Sequence, residues 1–201
     1  MRIGYARLLA PLLICLVSTN AAVAQQAAQT PRLTLSSPSF KDMEPFPLRF
    51  TQTGTGVSSI VVPDGMNNAA VNPAIQWDNV PQGTNAFVLM LSDNSDIMMW
   101  VVVNIPGSVR SLPEGIPNGN NSAKLPAGAW HRSYRTNGWI GPGASRTQAS
   151  ARLPYIWKLY PLDEKLEIPR NSNRAEILRA MEGHLTGNKA VMIITCCDES
   201  K

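Results

Sequence analysis

The residues with the clearest chemical promise sit between two apolar runs. Ser92-Asp93-Asn94-Ser95-Asp96 follows Phe87–Leu91 and precedes an apolar stretch starting at Met98, so hydroxyls, an amide and two carboxylates gather at the rim of buried sheet. Such a set can line a small anion or head-group pocket, with hydroxyls and amide donating hydrogen bonds and a carboxylate fixing orientation. The same residues suit a hairpin turn in which Asp and Asn side chains accept from their own backbone. Taken alone, the segment favours the turn.

Conventional catalytic sets are missing. The two histidines, His131 and His184, stand in no metal-ligand spacing. Gly143-Ala144-Ser145-Arg146-Thr147 lacks the second glycine of a nucleophile elbow. His184, three residues after Met181, reads as a buried or half-buried structural histidine on a helix. His131, between Trp130 and Arg132 in a long loop, reads as exposed, with a ligand-facing role as the sharper alternative. The expectation is no metal, no cofactor and no catalysis; a hydrolase using Asp93 ranks last, because no nucleophile stands beside a base.

Adjacent Cys196 and Cys197 are not an ordinary bridge, since neighbouring Cα atoms lie ~3.8 Å apart and disulfides usually need ~4.4 Å or more. On a strand they point to opposite faces. A core Cys beside an incidental one is favoured over a redox or metal-binding pair, because no CxxC or His cluster accompanies them.

The elements that must position any site follow a leader. Arg2 and Arg7 precede an apolar run from Leu8 to Val17, and Ala22-Val23-Ala24 supplies the small-x-small pattern of signal peptidase cleavage. Residues 1–24 are therefore read as a signal peptide cleaved near Ala24, and the product as periplasmic or secreted. The run is too short for a membrane anchor, which takes about 20 residues. Ile14 before Cys15 lacks the small side chain of a lipid-attachment box. Losing the two leader arginines leaves 16 of the 18 basic residues against 14 acidic ones, a net charge of +2. With no basic run interleaved with aromatics, nucleic acid is not an expected partner.

Residues 25–32 form a polar, flexible lead-in. Strands are expected at Arg32–Ser36, Pro45–Thr53, Ser58–Val62, Ala74–Trp77, Ala86–Leu91, Met98–Ile105, Leu153–Leu162 and Ala190–Cys196. The runs at 86–91 and 98–105 are almost continuously apolar, which predicts central strands buried on both faces. From Pro106 to Arg152 the chain is rich in Gly, Pro, Asn and Ser, and so long an irregular stretch is usually functional or disordered. A helix over Arg174–Leu185 is predicted by Asn173 and Glu176 as a capping box, a stripe of Ile177, Leu178, Met181 and Leu185, and Gly187 beyond.

An ordered set of motifs now becomes legible. Asn72-Pro73-Ala74-Ile75-Gln76-Trp77, Val80-Pro81-Gln82-Gly83-Thr84, Trp100-Val101-Val102-Val103-Asn104-Ile105-Pro106 and Leu112-Pro113-Glu114-Gly115 come first. Gly138-Trp139-Ile140-Gly141-Pro142, Tyr155–Asp163 and Met181-Glu182-Gly183-His184 follow. In that order the set resembles the phosphatidylethanolamine-binding protein family, especially its bacterial Raf kinase inhibitor-like branch. The resemblance implies a two-sheet antiparallel β-sandwich. With the elements above, this gives a mostly β domain over 33–201 with one helix in the C-terminal region and a long irregular loop.

The resemblance also implies a small pocket for phosphate, acetate or phospholipid head groups. The family pattern builds it from an Asp-Pro-Asp-Ala-Pro segment, a His just before a strand, a Gly-x-Gly-Pro loop and a His-Arg-Tyr strand. Asp93 matches the first Asp, Gly141 and Pro142 the loop, and Tyr155 the Tyr. Met99 and Leu153 stand where the two histidines belong. A thioether is a weak acceptor and Leu has no polar atom, so the expected pocket is more apolar than the family's. A non-catalytic ligand-binding protein is the favoured reading, its partner a small molecule or lipid head group. The alternative is a protein-interaction or inhibitor module acting through residues 107–151, which an exposed Trp130 or Trp139 would support.

Overall fold

The structure is a computed structural model that describes residues 32–51, 71–119, 122–142 and 154–198. The leader, the predicted strand Ser58–Val62 and Leu153 lie outside the described residues. So do the side chains of Cys196 and Cys197. All described residues fall within one compact unit, Pro31–Lys201. None of their helices is long and apolar enough to cross a membrane.

Among the described residues, nine strands form two sheets. The three-stranded sheet takes β1 (Thr34–Ser36), β3 (Ile75–Asp78) and β6 (Ser111–Leu112) in the order β1-β3-β6. The six-stranded sheet uses β2 (Pro45–Pro47), β4 (Ala86–Ser92), β5 (Met98–Pro106), β7 (Trp130–Arg132), β8 (Pro154–Leu162) and β9 (Ala190–Asp198). Its order is β2-β9-β8-β4-β5-β7. Every pairing is antiparallel except β2 with β9, which run parallel.

The unbroken apolarity of β4 has a direct cause. Phe87, Leu89 and Leu91 face the inter-sheet core with Ile75, Trp77 and Leu112, while Ala86, Val88 and Met90 face a second cluster with Ile177 of helix α1 (Arg174–Ala180) and Met181, the residue that caps its C-terminus. Burial on both sides removes the need for alternation. On β3 only one face is buried, Ile75 and Trp77 pointing in and Gln76 and Asp78 out, so that strand alternates as half-buried strands do.

β5 carries two register shifts against β4. Phe87 pairs with Ile105 but Leu89 with Val102, and Leu91 pairs with Trp100 but Ser92 with Met98. Each leaves one extra residue on β5, a β-bulge that re-aims its neighbours. At the first, Asn104 adopts φ 61°, a left-handed conformation Asn tolerates. Its buried amide accepts from the Leu166 N–H at 2.8 Å and donates to the Leu166 carbonyl at 3.0 Å. Asn104→Ala strands both Leu166 groups and is expected to cost about 2–3 kcal/mol, read from the urea midpoint. A shift below about 0.5 kcal/mol, the ordinary surface range, would show that this clamp carries no stability. At the second shift the extra residue is Met99.

Three expectations are corrected. The strand expected over Pro45–Thr53 stops at Pro47 and turns into a 3-10 helix at Leu48–Phe50. Pro45 and Pro47 cannot donate to a ladder, and the turn brings the rings of Phe46 and Phe50, both buried, to 5.5 Å. The helix has its capping box, with Glu176 N–H to Asn173 Oδ1 at 3.1 Å and Asn173 N–H to Glu176 Oε2 at 2.8 Å. It ends at Ala180 rather than Leu185, because Gly183 turns left-handed at φ 85°. His184 is therefore off the helix, and Leu185 is exposed instead of striped into the core. Finally, the Gly- and Pro-rich stretch after Pro106 is not wholly irregular: it contributes β6 to one sheet and β7, paired with β5, to the other.

Candidate functional site

Asp93 closes the β4–β5 turn. Its Oδ1 accepts the N–H groups of Ser95 at 2.9 Å and Ile97 at 2.8 Å, and its own N–H donates to the Ile97 carbonyl at 3.1 Å. Two backbone donors thus hold one carboxylate oxygen to its own turn. In the same turn Asp96 pairs with Arg174 at 2.5 Å, tying the turn to the start of α1.

Met99 and Tyr155 lie in the inter-sheet core, buried in one cluster with Trp100, Trp139, Ile140 and Trp157. Trp139 and Trp157 stack at 5.8 Å with 15° between planes, and Trp100 stands edge-on to them at 5.4 and 6.1 Å. Such offset and edge geometries suit the ring quadrupoles. The cluster forms because the Met99 bulge puts Met99 and Trp100 on the same core side. Gly141 and Pro142 follow Ile140, both buried. A Cβ on Gly141 would stand 2.0 Å from the Phe50 carbonyl oxygen, so the loop passes against the 3-10 helix as only glycine permits. The structure thus joins Met99 and Tyr155 in one cluster that extends to the start of the 141–142 loop, and leaves the Asp93 carboxylate in its turn. Leu153 lies outside the described residues.

Two features escaped the sequence reading. The tryptophan box is one: its members come from β5, β8 and the 138–142 loop and meet only through long-range pairing. The indole N–H groups of Trp139 and Trp157, like that of Trp77, are buried without a hydrogen-bond partner among the described residues. His131 is the other. It is neither exposed nor in a loop but buried on β7. Its Nδ1 accepts the Trp100 indole N–H at 3.3 Å, which leaves Nε2 to carry the proton toward the Gly119 carbonyl at 3.1 Å. The indole can only donate, so the neutral Nε2–H tautomer is imposed. Burial lowers the His131 pKa below its usual value, opposed in part by the Gly119 hydrogen bond. The imidazole beside the box has both nitrogens committed.

Trp130 and Trp139 are both buried, so the exposed tryptophan that would have supported a docking loop over 107–151 is not there. His184 is half-buried, with Nδ1 3.0 Å from Asp163 Oδ1 and 3.4 Å from Glu164 Oε1. It ties the end of β8 to the turn after α1.

Residues 36–195 match the family model for phosphatidylethanolamine-binding protein. The chain belongs to this family. A UPF0098 protein of Methanothermobacter thermautotrophicus is 26% identical over 159 residues, covering 77% of this chain and 93% of the relative. The UPF0098 protein YbhB of Escherichia coli is 28% identical over 153 residues, 72% of this chain and 88% of the relative. Among solved structures, Escherichia coli YbcL, described as a new member of the mammalian PEBP family, superposes with a TM-score of 0.64. It is 21% identical, with 84% of this chain and 100% of that one covered. The PEBP homolog CT736 of Chlamydia trachomatis gives 0.62 at 21% identity, covering 83% and 98%. At that identity the structures establish the fold of the phosphatidylethanolamine-binding family and no more.

Proposed function

We propose that this member of the phosphatidylethanolamine-binding family is a non-catalytic binding protein, periplasmic or secreted after cleavage near Ala24, whose altered pocket takes a neutral, largely apolar small molecule. The observation that carries the reading is the surroundings of Met99. A thioether occupies the position where the family pattern has an imidazole, and it is buried among Trp100, Trp139, Trp157 and Tyr155. The imidazole nearest that box, His131, is spent on Trp100 and Gly119, and Asp93 is held by its turn. An anion needs charge-assisted donors. A neutral ligand needs apolar surface and an occasional donor, and among the described residues the buried indole N–H groups of Trp139 and Trp157 have no partner of their own.

Intact and native mass spectrometry of the protein extracted without denaturant from cells that make it tests both halves. The expected mature chain starts at Gln25 or its cyclised form, and the expected native ion carries a neutral small molecule lost on denaturation. Full-length chain in the membrane fraction would overturn the export reading. A retained phosphate-bearing ligand would overturn the pocket reading.

A further inference from the structure

The tryptophan box is wired to its loop through His131 in a closed ring of contacts. Trp100 donates its indole N–H to His131, and His131 donates to the Gly119 carbonyl. Gly119 N–H reaches the Asn137 carbonyl at 2.6 Å. The neighbouring Asn118 Oδ1 accepts the Trp139 backbone N–H at 2.8 Å. Trp139 then closes on Trp100 at 5.4 Å. Segment 118–119 therefore holds residues 137–139, which lead directly into Gly141 and Pro142.

We infer that His131 is an acid-sensitive latch on the candidate site: protonation at Nδ1 breaks its bond to Trp100 and loosens the 137–142 loop from the aromatic box. This rests on the proposed site but not on its ligand. The chemistry is one proton. Neutral His131 has a lone pair on Nδ1 facing an N–H; the imidazolium has N–H on both nitrogens, so donor faces donor at Trp100 while the Gly119 bond persists. The buried indole then loses its acceptor, which the interior does not replace.

Among the described residues, the charged side chains on the segments that adjoin His131 and Gly119 have partners elsewhere. β5 carries no ionisable side chain over Met98–Pro106. In the segment leading to Gly119, Glu114 pairs with Arg49 at 3.0 Å, and Lys124 beyond it reaches the Glu114 carbonyl at 3.4 Å. Next to His131, Arg132 bonds the carbonyls of Ser133 and Ser172, and Arg135 lies over the Tyr134 ring. Burial and the Gly119 carbonyl govern the titration. The folded pKa lies below the unfolded value of ~6.5. The contribution of neutral His131 to stability is thus fully present above ~pH 6.5 and is lost as pH falls from there through the folded value.

The test uses tryptophan emission and amide hydrogen exchange on the full chain between pH 8 and 4.5, with no ligand added. Emission should be flat above pH 7 and change through a one-proton transition with its midpoint below 6.5. Exchange at the Trp139 amide, corrected for intrinsic rate, should be about tenfold or more faster on the acid side. His131→Gln, whose amide can accept from Trp100 and donate to Gly119 while never titrating, should abolish both changes. If that variant does not fold, NMR titration of the imidazole in wild type, assigned with His184→Gln, reads the same group. An unchanged transition in His131→Gln, or an imidazole titrating at or above 6.5, would overturn the latch. Ligand identity affects none of these readouts, so a wrong pocket assignment would not mimic failure.

Discussion

Replacing Gly141 with alanine is expected to destabilise the domain by about 4 kcal/mol or more, at the extreme of what single substitutions do. The cause is space. The added Cβ would sit 2.0 Å from the Phe50 carbonyl oxygen and 3.0 Å from the Phe50 carbonyl carbon and the Thr51 Cα. All three are main-chain atoms, so no rotamer change relieves the overlap. Phe50 is buried against Phe46, which in turn touches Trp139, so moving the 3-10 helix disturbs the box itself. Urea unfolding should show a much lower midpoint, and the surviving folded protein a red-shifted tryptophan emission. A midpoint within about 1 kcal/mol of wild type, below the usual cost of overpacking, would mean that the loop passes the helix with room for a methyl group.

Restoring the two missing imidazoles is expected to raise affinity for phosphate about 100-fold or more. Each charge-assisted donor is worth roughly 1.5–3 kcal/mol, and 1.4 kcal/mol is about tenfold. The variant is Met99→His with Leu153→His, titrated calorimetrically near pH 6, where a His of ordinary pKa ~6.5 is mostly protonated. The gain should fade toward pH 8 as the imidazoles lose their protons. Met99 is buried, so thermal unfolding must first establish that the variant is folded. A folded double variant with no gain would show that these positions do not face a common anion.

The central strands were readable because β4 and β5 are buried on both sides and so leave a one-dimensional mark, an unbroken apolar run. The Asn173–Glu176 capping box is equally local. What escaped depends on register or on distant chain. A three-residue strand such as Trp130–Arg132 has no period to detect, and it exists because β5 offers it a ladder. The bulges at Met99 and Asn104 are defined only against β4. The helix stop was present at Gly183, but the apolar Leu185 after it suggested a longer stripe. For the site, Asp93 had two local readings, and its hydrogen bonds to Ser95 and Ile97 favour the turn. His131 looked exposed because it lies in a long Gly- and Pro-rich stretch whose local sequence says nothing of Trp100, 31 residues away.

Calorimetric titration of inorganic phosphate into the unmodified protein, near pH 6 and at low salt, decides whether the chain has kept an anion site. With thioether and leucine in place of two donors, and with His131 and Asp93 committed to their own structure, the dissociation constant should be millimolar or weaker, a binding free energy of about −4 kcal/mol at most. Saturable binding in the micromolar range, at about −8 kcal/mol, would mean that the family's anion site survives here on other donors, and the apolar pocket would have to be abandoned.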